Sequence, residues 1–167
     1  MRADVQRVTV LGAGSWGTAF AKVLEEKGRP EPRWGMWQVP EDELRVLPDA
    51  AGLDVIELGC GTAYWSAWLA RRGARVTGID NSSRQLETAR DLQREHGLDF
   101  PLLHGSAEAV PLPGGSFDLA LSEYGASIWC DPYLWVPEAA RLLRPGGRLI
   151  FLGHATLLAL CGPDNDE

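Results

Sequence analysis

VIELGCG at residues 55–61 and RVTGID at residues 75–80 decide the fold of this chain. Each is a short apolar run, and a helical pattern at residues 62–72 lies between them. A strand, a glycine turn, a helix and a second strand are typical of one parallel α/β unit. Asp80 ends the second run, 21 residues after Gly59. The pair therefore predicts a nucleotide-binding type of sheet edge.

The same alternation continues outward along the chain. Ser82 and Gln85 form a capping pair that opens the next helix. Further strands are predicted at residues 100–103, 117–121 and 148–152, and Pro40 is predicted at the first position of a short helix. Five strands that alternate with helices predict an α/β fold, a doubly wound parallel Rossmann-like sheet with helices on both faces.

Five segments carry a family resemblance: VIELGCG, VTGIDNS, GSAEAVPLP, SFDLALS and LLRPGGRLI. In this order and spacing, residues 34–152 resemble the class I S-adenosylmethionine-dependent methyltransferases. The resemblance implies S-adenosylmethionine as the cofactor and a methyltransferase activity. Because relatives continue past the fifth strand, it also implies a core that is truncated at its C-terminal side.

The resemblance implies cofactor contacts for the following residues: Glu57, Gly59, Cys60, Gly61, Asp80, Asn81, Ser106, Ala107, Glu108 and Ser122. The glycine turn would face the methionine part, and Glu57 would hold that turn or the amino group. Asp80 would bond the ribose hydroxyls, and Asn81 would border the adenine. Residues 106–108 would line the adenine edge, with Ser106 where many relatives carry an acid. Ser122 would lie beneath the reacting methyl group.

Substrate contacts are expected from aromatic and acidic residues that flank the core: Trp37, Glu123, Tyr124 and Trp129. The segment with Trp34, Met36 and Trp37 resembles the family's N-terminal cover, whose rings either shield the cofactor or pack on the sheet. No catalytic residue is assigned. His154 is either a general base or a polar group at a strand end, and Trp65 and Trp68 are expected in the core.

A second glycine turn, GAGSWG at residues 12–17, matches G-x-G-x-x-G. Residues 7–28 resemble the start of NAD-dependent glycerol-3-phosphate dehydrogenases, but the second strand and its acid are missing from the proline-rich residues 31–37. We therefore expect residues 1–29 to be an extension. Its strand, at residues 7–11, is expected to add to an edge of the sheet, and its helix to cover one face.

Composition narrows the function classes. The formal net charge of -7 argues against nucleic acid as the main partner, and no apolar run reaches the roughly 18 to 20 residues that span a bilayer. The three cysteines lack metal-ligand spacing, so they are expected as reduced thiols in a cytoplasmic protein without a metal site.

The expected organisation is a methyltransferase domain at residues 33–160 and a disordered tail at residues 161–167. SEYG, after the fourth core strand, lacks the N/D-P-P-Y arrangement, which favours a small-molecule methyl acceptor. The alternatives are a non-catalytic cofactor-binding remnant and an NAD-dependent oxidoreductase fragment that uses GAGSWG. The oligomeric state is left open.

Overall fold

The structure is a computed structural model that describes residues 32–35 and 37–154, and the backbone of residues 8–12. Eight strands and five helices occur in the described residues. The strands are β1 (Val8–Gly12), β2 (Arg33–Trp34), β3 (Val39–Pro40), β4 (Asp54–Leu58), β5 (Arg75–Asp80), β6 (Leu102–His104), β7 (Phe117–Glu123) and β8 (Leu143–Gly153). The helices are α1 (Glu41–Leu44), α2 (Tyr64–Arg71), α3 (Ser83–His96), α4 (Ala126–Trp129) and α5 (Pro132–Leu142).

Six strands form one sheet in the order β1-β8-β7-β4-β5-β6. Every neighbouring pair in this sheet is parallel. From β4 in the middle of the sheet, the chain moves outward through β5 to β6 and then returns to the other side of β4 at β7. This arrangement confirms the predicted doubly wound parallel sheet, and the change of direction between β4 and β7 leaves a crevice at the carboxyl ends of the strands.

Apolar residues pack on both faces of the sheet. On one face, Val55 and Leu119 contact the helices α2 and α3 through Trp65 and Leu86. On the other face, a second core includes Ile56 and packs against α5. Because successive side chains of a strand point to opposite faces, β4 serves both cores. The helices on both faces were predicted from the alternating pattern, and Trp65 lies in the core as expected.

β1 adds to the edge of the sheet beside β8. Its residues pair in parallel register, from Val8 with Leu149 to Gly12 with Gly153. The predicted addition of this N-terminal strand to a sheet edge is therefore confirmed, although the strand begins and ends one residue later than residues 7–11. The helix predicted to follow it, the rest of the GAGSWG turn and the predicted tail lie outside the described residues.

Some predicted boundaries were wrong by a few residues. Pro40 is the N-cap of α1 rather than its first residue, because its extended backbone (ψ 143°) lies outside the helix. The strand predicted at residues 100–103 is observed as Leu102–His104, since Phe100 turns into the core instead of pairing. β8 begins earlier than predicted because Leu143 already pairs with Phe117.

The segment before the core forms a short hairpin, β2–β3, followed by α1. Trp34 is 2% exposed, and its ring centroid lies 4.0 Å from that of Trp65. Its indole N–H donates to Oε2 of buried Glu41 (2.5 Å), whose Oε1 accepts from the backbone N–H of Leu47 (2.7 Å). Of the two roles predicted for the aromatic cover, Trp34 takes the packing role.

Candidate functional site

The glycine bend after β4 is held against the end of β5. The backbone N–H groups of Gly59 and Cys60 both donate to the carbonyl of Ile79, at 2.9 Å each. Gly59 has φ 72°, a left-handed conformation that glycine adopts without strain. The bend therefore lies directly beside the residue that ends β5, which is Asp80.

The carboxylate of Asp80 points towards this bend. Its Oδ2 accepts from the backbone N–H of Gly61 at 2.7 Å, and its Oδ1 accepts from Ser82 at 2.8 Å. A Cβ atom built on Gly61 meets nothing within 4 Å, so the space beside this bond is open. The structure thus brings together the acid and the turn that the sequence paired.

The opposite side of the bend packs against the loop after β7. A Cβ on Gly59 would lie 2.5 Å from the nitrogen of Ala126, and one on Gly125 would lie 2.1 Å from the carbonyl oxygen of Gly59. Neither position has room for a side chain. The two loops therefore support each other at the crevice, and Gly125 is a residue that the sequence reasoning missed.

Glu57 lies beneath the bend, 3% exposed. Its Oε2 accepts from both the backbone N–H (2.7 Å) and the hydroxyl (2.5 Å) of Ser66 on α2. Burial raises the pKa of Glu57 to about 8, and the charges of Glu123 and Asp80 contribute to the increase. Ser66, which was also missed, fixes the orientation of this carboxyl group.

Cys60 and Ser122 are support residues in this geometry. The thiol of Cys60 packs over Gly78 of β5, and burial raises its pKa well above the usual range, so it stays protonated. Ser122 is fully buried, donates its hydroxyl to the carbonyl of Leu58 (2.8 Å) and accepts from the N–H of Ser127 (3.1 Å). Both residues hold the ends of strands in place.

Asn81 and Ser106, predicted near the adenine, are exposed at the ends of β5 and β6. The carbonyl of Asn81 lies 3.0 Å from Nε2 of His104, and the hydroxyl of Ser106 accepts from the N–H of Glu108 (3.1 Å). Gly105 donates to the carbonyl of Asp80 at 3.0 Å. These bonds bring the loop after β6 next to the acid.

Of the other two residues predicted at the adenine edge, Ala107 is buried and Glu108 accepts a backbone hydrogen bond. Ala107 is 5% exposed and belongs to the core on the α5 side. Oε1 of Glu108 accepts from the N–H of Asp131, the N-cap residue of α5, at 2.8 Å. Both residues border the crevice from that side.

Glu123 ends β7 and Tyr124 follows it, next to the β2–β3 hairpin. Oε1 of Glu123 accepts from the N–H of Gly35 at 2.9 Å, and burial raises the pKa of Glu123 to about 7. Tyr124 donates its backbone N–H to Leu152 (3.0 Å), and its ring faces that of His154 at 5.7 Å. The hairpin is thereby fixed over the carboxyl ends of β7 and β8.

Two predicted substrate residues are exposed tryptophans: Trp37 is 73% exposed in the turn of the hairpin, and Trp129 is 79% exposed at the end of α4. His154 is an exposed residue directly after β8.

Within residues 32–35 and 37–154, no group of three or more metal-ligating side chains is found. In the part of the chain that the structure describes, no helix has the length and apolar character to cross a membrane.

Residues 56–151 match the family model described as methyltransferase domain. This match covers more than half of the chain, so the chain belongs to the methyltransferase domain family. Family membership confirms S-adenosylmethionine as the cofactor that the sequence predicts. It also agrees with an acid and a glycine bend at the switch point of the sheet.

Three relatives illustrate the match. The chain is 33% identical over 120 residues to the demethylmenaquinone methyltransferase of Lactococcus lactis, covering 68% of this chain and 48% of that protein. It is 42% identical over 115 residues to methyltransferase GfsG of Streptomyces halstedii, covering 67% and 41%. The crystal structure of an S-adenosylmethionine-dependent methyltransferase from Mesorhizobium loti superimposes with a TM-score of 0.57 at 31% identity, covering 66% and 51%.

The chain spans about half the length of the curated relatives it matches. A second family model, described as the N-terminus of NAD-dependent glycerol-3-phosphate dehydrogenase, matches residues 7–51. This match confirms the resemblance predicted for residues 7–28 and extends past it into the hairpin and α1. In the structure, those later residues pack against helix α2, where the ring of Trp34 contacts that of Trp65.

Proposed function

We propose that this chain binds S-adenosylmethionine at the carboxyl ends of β4 and β5, and that the protein transfers the methyl group to a small molecule. One observation carries the proposal. The carboxylate of Asp80 lies 2.7 Å from the backbone nitrogen of Gly61, beside open space. An acid in this position at the switch point of a parallel sheet suits the two hydroxyls of a ribose.

The residues at this edge fit the cofactor. Each oxygen of Asp80 already accepts one N–H, and each keeps a lone pair for a ligand hydroxyl. Gly61 has no side chain to block the approach, and Glu57 supplies a carboxyl group under the same bend. When bound, the cofactor supplies a methyl group on a sulfonium, which is already activated for displacement.

The residues predicted to bind the cofactor would contribute in different ways. Gly59, Gly61 and Asp80 would touch the cofactor directly, and Asn81 with Ser106 would border the adenine from their exposed positions. Cys60 and Ser122 would act through the backbone, since their side chains are occupied in holding β4 to its neighbours. Ala107 and Glu108 would form the wall of the adenine side.

For methyl transfer, the chain mainly has to align the reactants and exclude water. The loop after β7, with Glu123, Tyr124 and Trp129, and the hairpin turn with Trp37 supply the groups nearest to the acceptor side. Exposed aromatic rings suit an apolar small molecule. The net charge of -7 offers little to a polyanion, which supports a small acceptor over a nucleic acid.

Calorimetric titration with S-adenosylhomocysteine tests the binding site. We expect Asp80→Ala to weaken binding by about 1 to 3 kcal/mol, the scale of lost hydrogen bonds to a charged group. The matched control is Asp99→Ala, which removes an exposed aspartate from the loop between α3 and β6 and should bind as the unchanged protein does. Equal dissociation constants for Asp80→Ala and the control would contradict the ribose assignment.

Two alternative functions differ from this proposal in the ligand bound or in turnover. The first alternative is a cofactor-binding module without turnover. The dehydrogenase match at residues 7–51 favours a dinucleotide site. Titration with NADH and turnover on a panel of small acceptors distinguish these alternatives. Tight binding of NADH alone would support the dinucleotide site. Binding of S-adenosylhomocysteine without turnover would support the non-catalytic module.

A further inference from the structure

Glu57 and Glu123 lie on the same face of the sheet, at the carboxyl ends of adjacent strands. The register pairs Glu57 of β4 with Leu121 of β7. Because side chains alternate along a strand, Glu123, two residues further on, points to the same face as Leu121. Helix α2 covers this face with Trp65 and Ser66. Glu57 is buried beneath it, and Glu123 is half-buried and bonded to Gly35 of the hairpin.

In the part of the chain that the structure describes, the hydrogen-bond donors to these two carboxyl groups are neutral. Glu57 accepts from the N–H and the hydroxyl of Ser66. Glu123 accepts from the N–H of Gly35. Among the described residues, neither acid forms an ion pair with an arginine or a histidine.

The other titratable groups around the pair do not compensate its charge. Asp80 and Glu123 both act on Glu57 as negative charges. Burial raises the pKa of Tyr64, the charge of Glu123 adds to this increase and the charge of Arg33 opposes it; the Tyr64 hydroxyl accepts from the backbone N–H of Arg33. Neither Glu57 nor Glu123 has its pKa lowered by the charge of a cation among the described residues. The Cys60 thiol stays protonated because of its burial and of the nearby charges of Glu57 and Asp80. A buried carboxylate without a counter-charge is costly, so the pair needs either protons or a cation.

Without a cation beside them, the two carboxyl groups are neutralised by protonation. Burial raises the pKa of Glu57 to about 8 and that of Glu123 to about 7. Near neutral pH, Glu57 is therefore mostly protonated and Glu123 is about half protonated. A positive charge brought next to them would favour their ionised forms and release protons into solution.

We propose that Glu57 and Glu123 together select the cationic methyl donor over its neutral product, by exchanging their protons for the positive charge of the sulfonium. This inference rests on the function proposed above. When the methyl group leaves sulfur for the acceptor, the C–S bond breaks, a bond from carbon to the acceptor forms, and the sulfur becomes a neutral thioether. The carboxylates then lose their counter-charge and take up protons again, which weakens the hold on the product.

Proton counting by calorimetry measures this exchange without any turnover. The protein is titrated with S-adenosylmethionine and with S-adenosylhomocysteine, in buffers of low and high ionisation enthalpy, between pH 6 and 8.5. We expect more protons to be released with the sulfonium than with the thioether. The preference for the sulfonium should also rise with pH, by on the order of tenfold over this range, since one pKa unit corresponds to tenfold in affinity.

Two variants and a control test whether Glu57 and Glu123 are the source of the proton release. Glu57→Gln and Glu123→Gln keep an acceptor for Ser66 or Gly35 but remove the charge, so each should reduce the excess proton release and the preference for the sulfonium. The control is Glu87→Gln, an exposed position on α3, which should leave both unchanged. Both site variants should fold, because an amide resembles the protonated carboxyl that burial already favours.

The outcomes of these titrations distinguish the proposed charge selection from the proposed cofactor-binding function on which it rests. Equal proton release with both ligands, or an excess that survives in both glutamine variants, would overturn the charge selection while leaving the binding site in place. Failure of the unchanged protein to bind either ligand would overturn the proposed function and, with it, this inference.

Discussion

Replacement of Glu57 by glutamine should remove a large pH dependence of stability. The pKa of this carboxyl is about 8 in the folded chain, against 4.5 for an ordinary glutamate. Between these values the folded state holds a proton that the unfolded state has lost. Stability therefore falls as pH rises, by about 1.4 kcal/mol per pH unit, or up to about 5 kcal/mol over the whole window. Below pH 4.5 both states are protonated and the effect vanishes.

Glu57→Gln mimics the protonated form, and its oxygen can still accept from Ser66. We expect the variant to match the unchanged protein near pH 4.5 and to exceed it increasingly up to pH 8. Urea unfolding at half-unit pH intervals measures the difference directly. Glu123 adds a smaller total of the same sign, because its window ends near pH 7, and this contribution should persist in the variant. Two parallel curves of unfolding free energy against pH would refute the reasoning.

Three further substitutions test other parts of the fold. Gly125→Ala should lower the unfolding free energy by about 2 kcal/mol, because its Cβ would lie 2.1 Å from the carbonyl oxygen of Gly59; urea unfolding as stable as before would contradict this packing. Arg45→Gly should raise the unfolding free energy by about 1 kcal/mol, since Arg45 is exposed with φ 51°, and a loss of stability would count against it. Arg144→Ala should lower the unfolding free energy more in low salt than in 1 M salt, because Arg144 lies 2.8 Å from Asp54, whose pKa Arg75 and Arg144 together lower to about 2; a loss of stability that does not depend on salt would contradict an ionic origin.

The elements of the fold were predictable because their signals are local. Each strand is a short apolar run, and each long helix has a periodic face and a stop signal within a few residues. Ser82 at the N-cap of α3 illustrates this, since its hydroxyl accepts from Gln85 as the capping pair predicts. The pairing of Asp80 with the glycine bend was equally accessible, because the parallel register fixes which strand ends are neighbours.

The less predictable part of the site depends on contacts between distant residues. Gly35 and Glu123 are 88 positions apart, and nothing in either segment indicates their hydrogen bond. The tight contact between Gly59 and Gly125 likewise follows from two loops that meet only in the folded chain. Ser66 has a local signal that reasoning could have used, since it lies on the buried side of α2 beneath the strand that carries Glu57.

The edge position of β1 bears on the choice between the two glycine turns. β1 is separated from β4 by β8 and β7, so three interstrand spacings lie between them, about 14 Å in total. Both strands end at the same edge of the sheet, because they are parallel to β8 and β7. A dinucleotide on the turn that starts at Gly12 and a cofactor on the Gly59 bend would therefore occupy different places. Any NADH that binds at the first turn should therefore bind without displacing S-adenosylhomocysteine, and competition between the two in a displacement titration would show that NADH occupies the Gly59 bend instead.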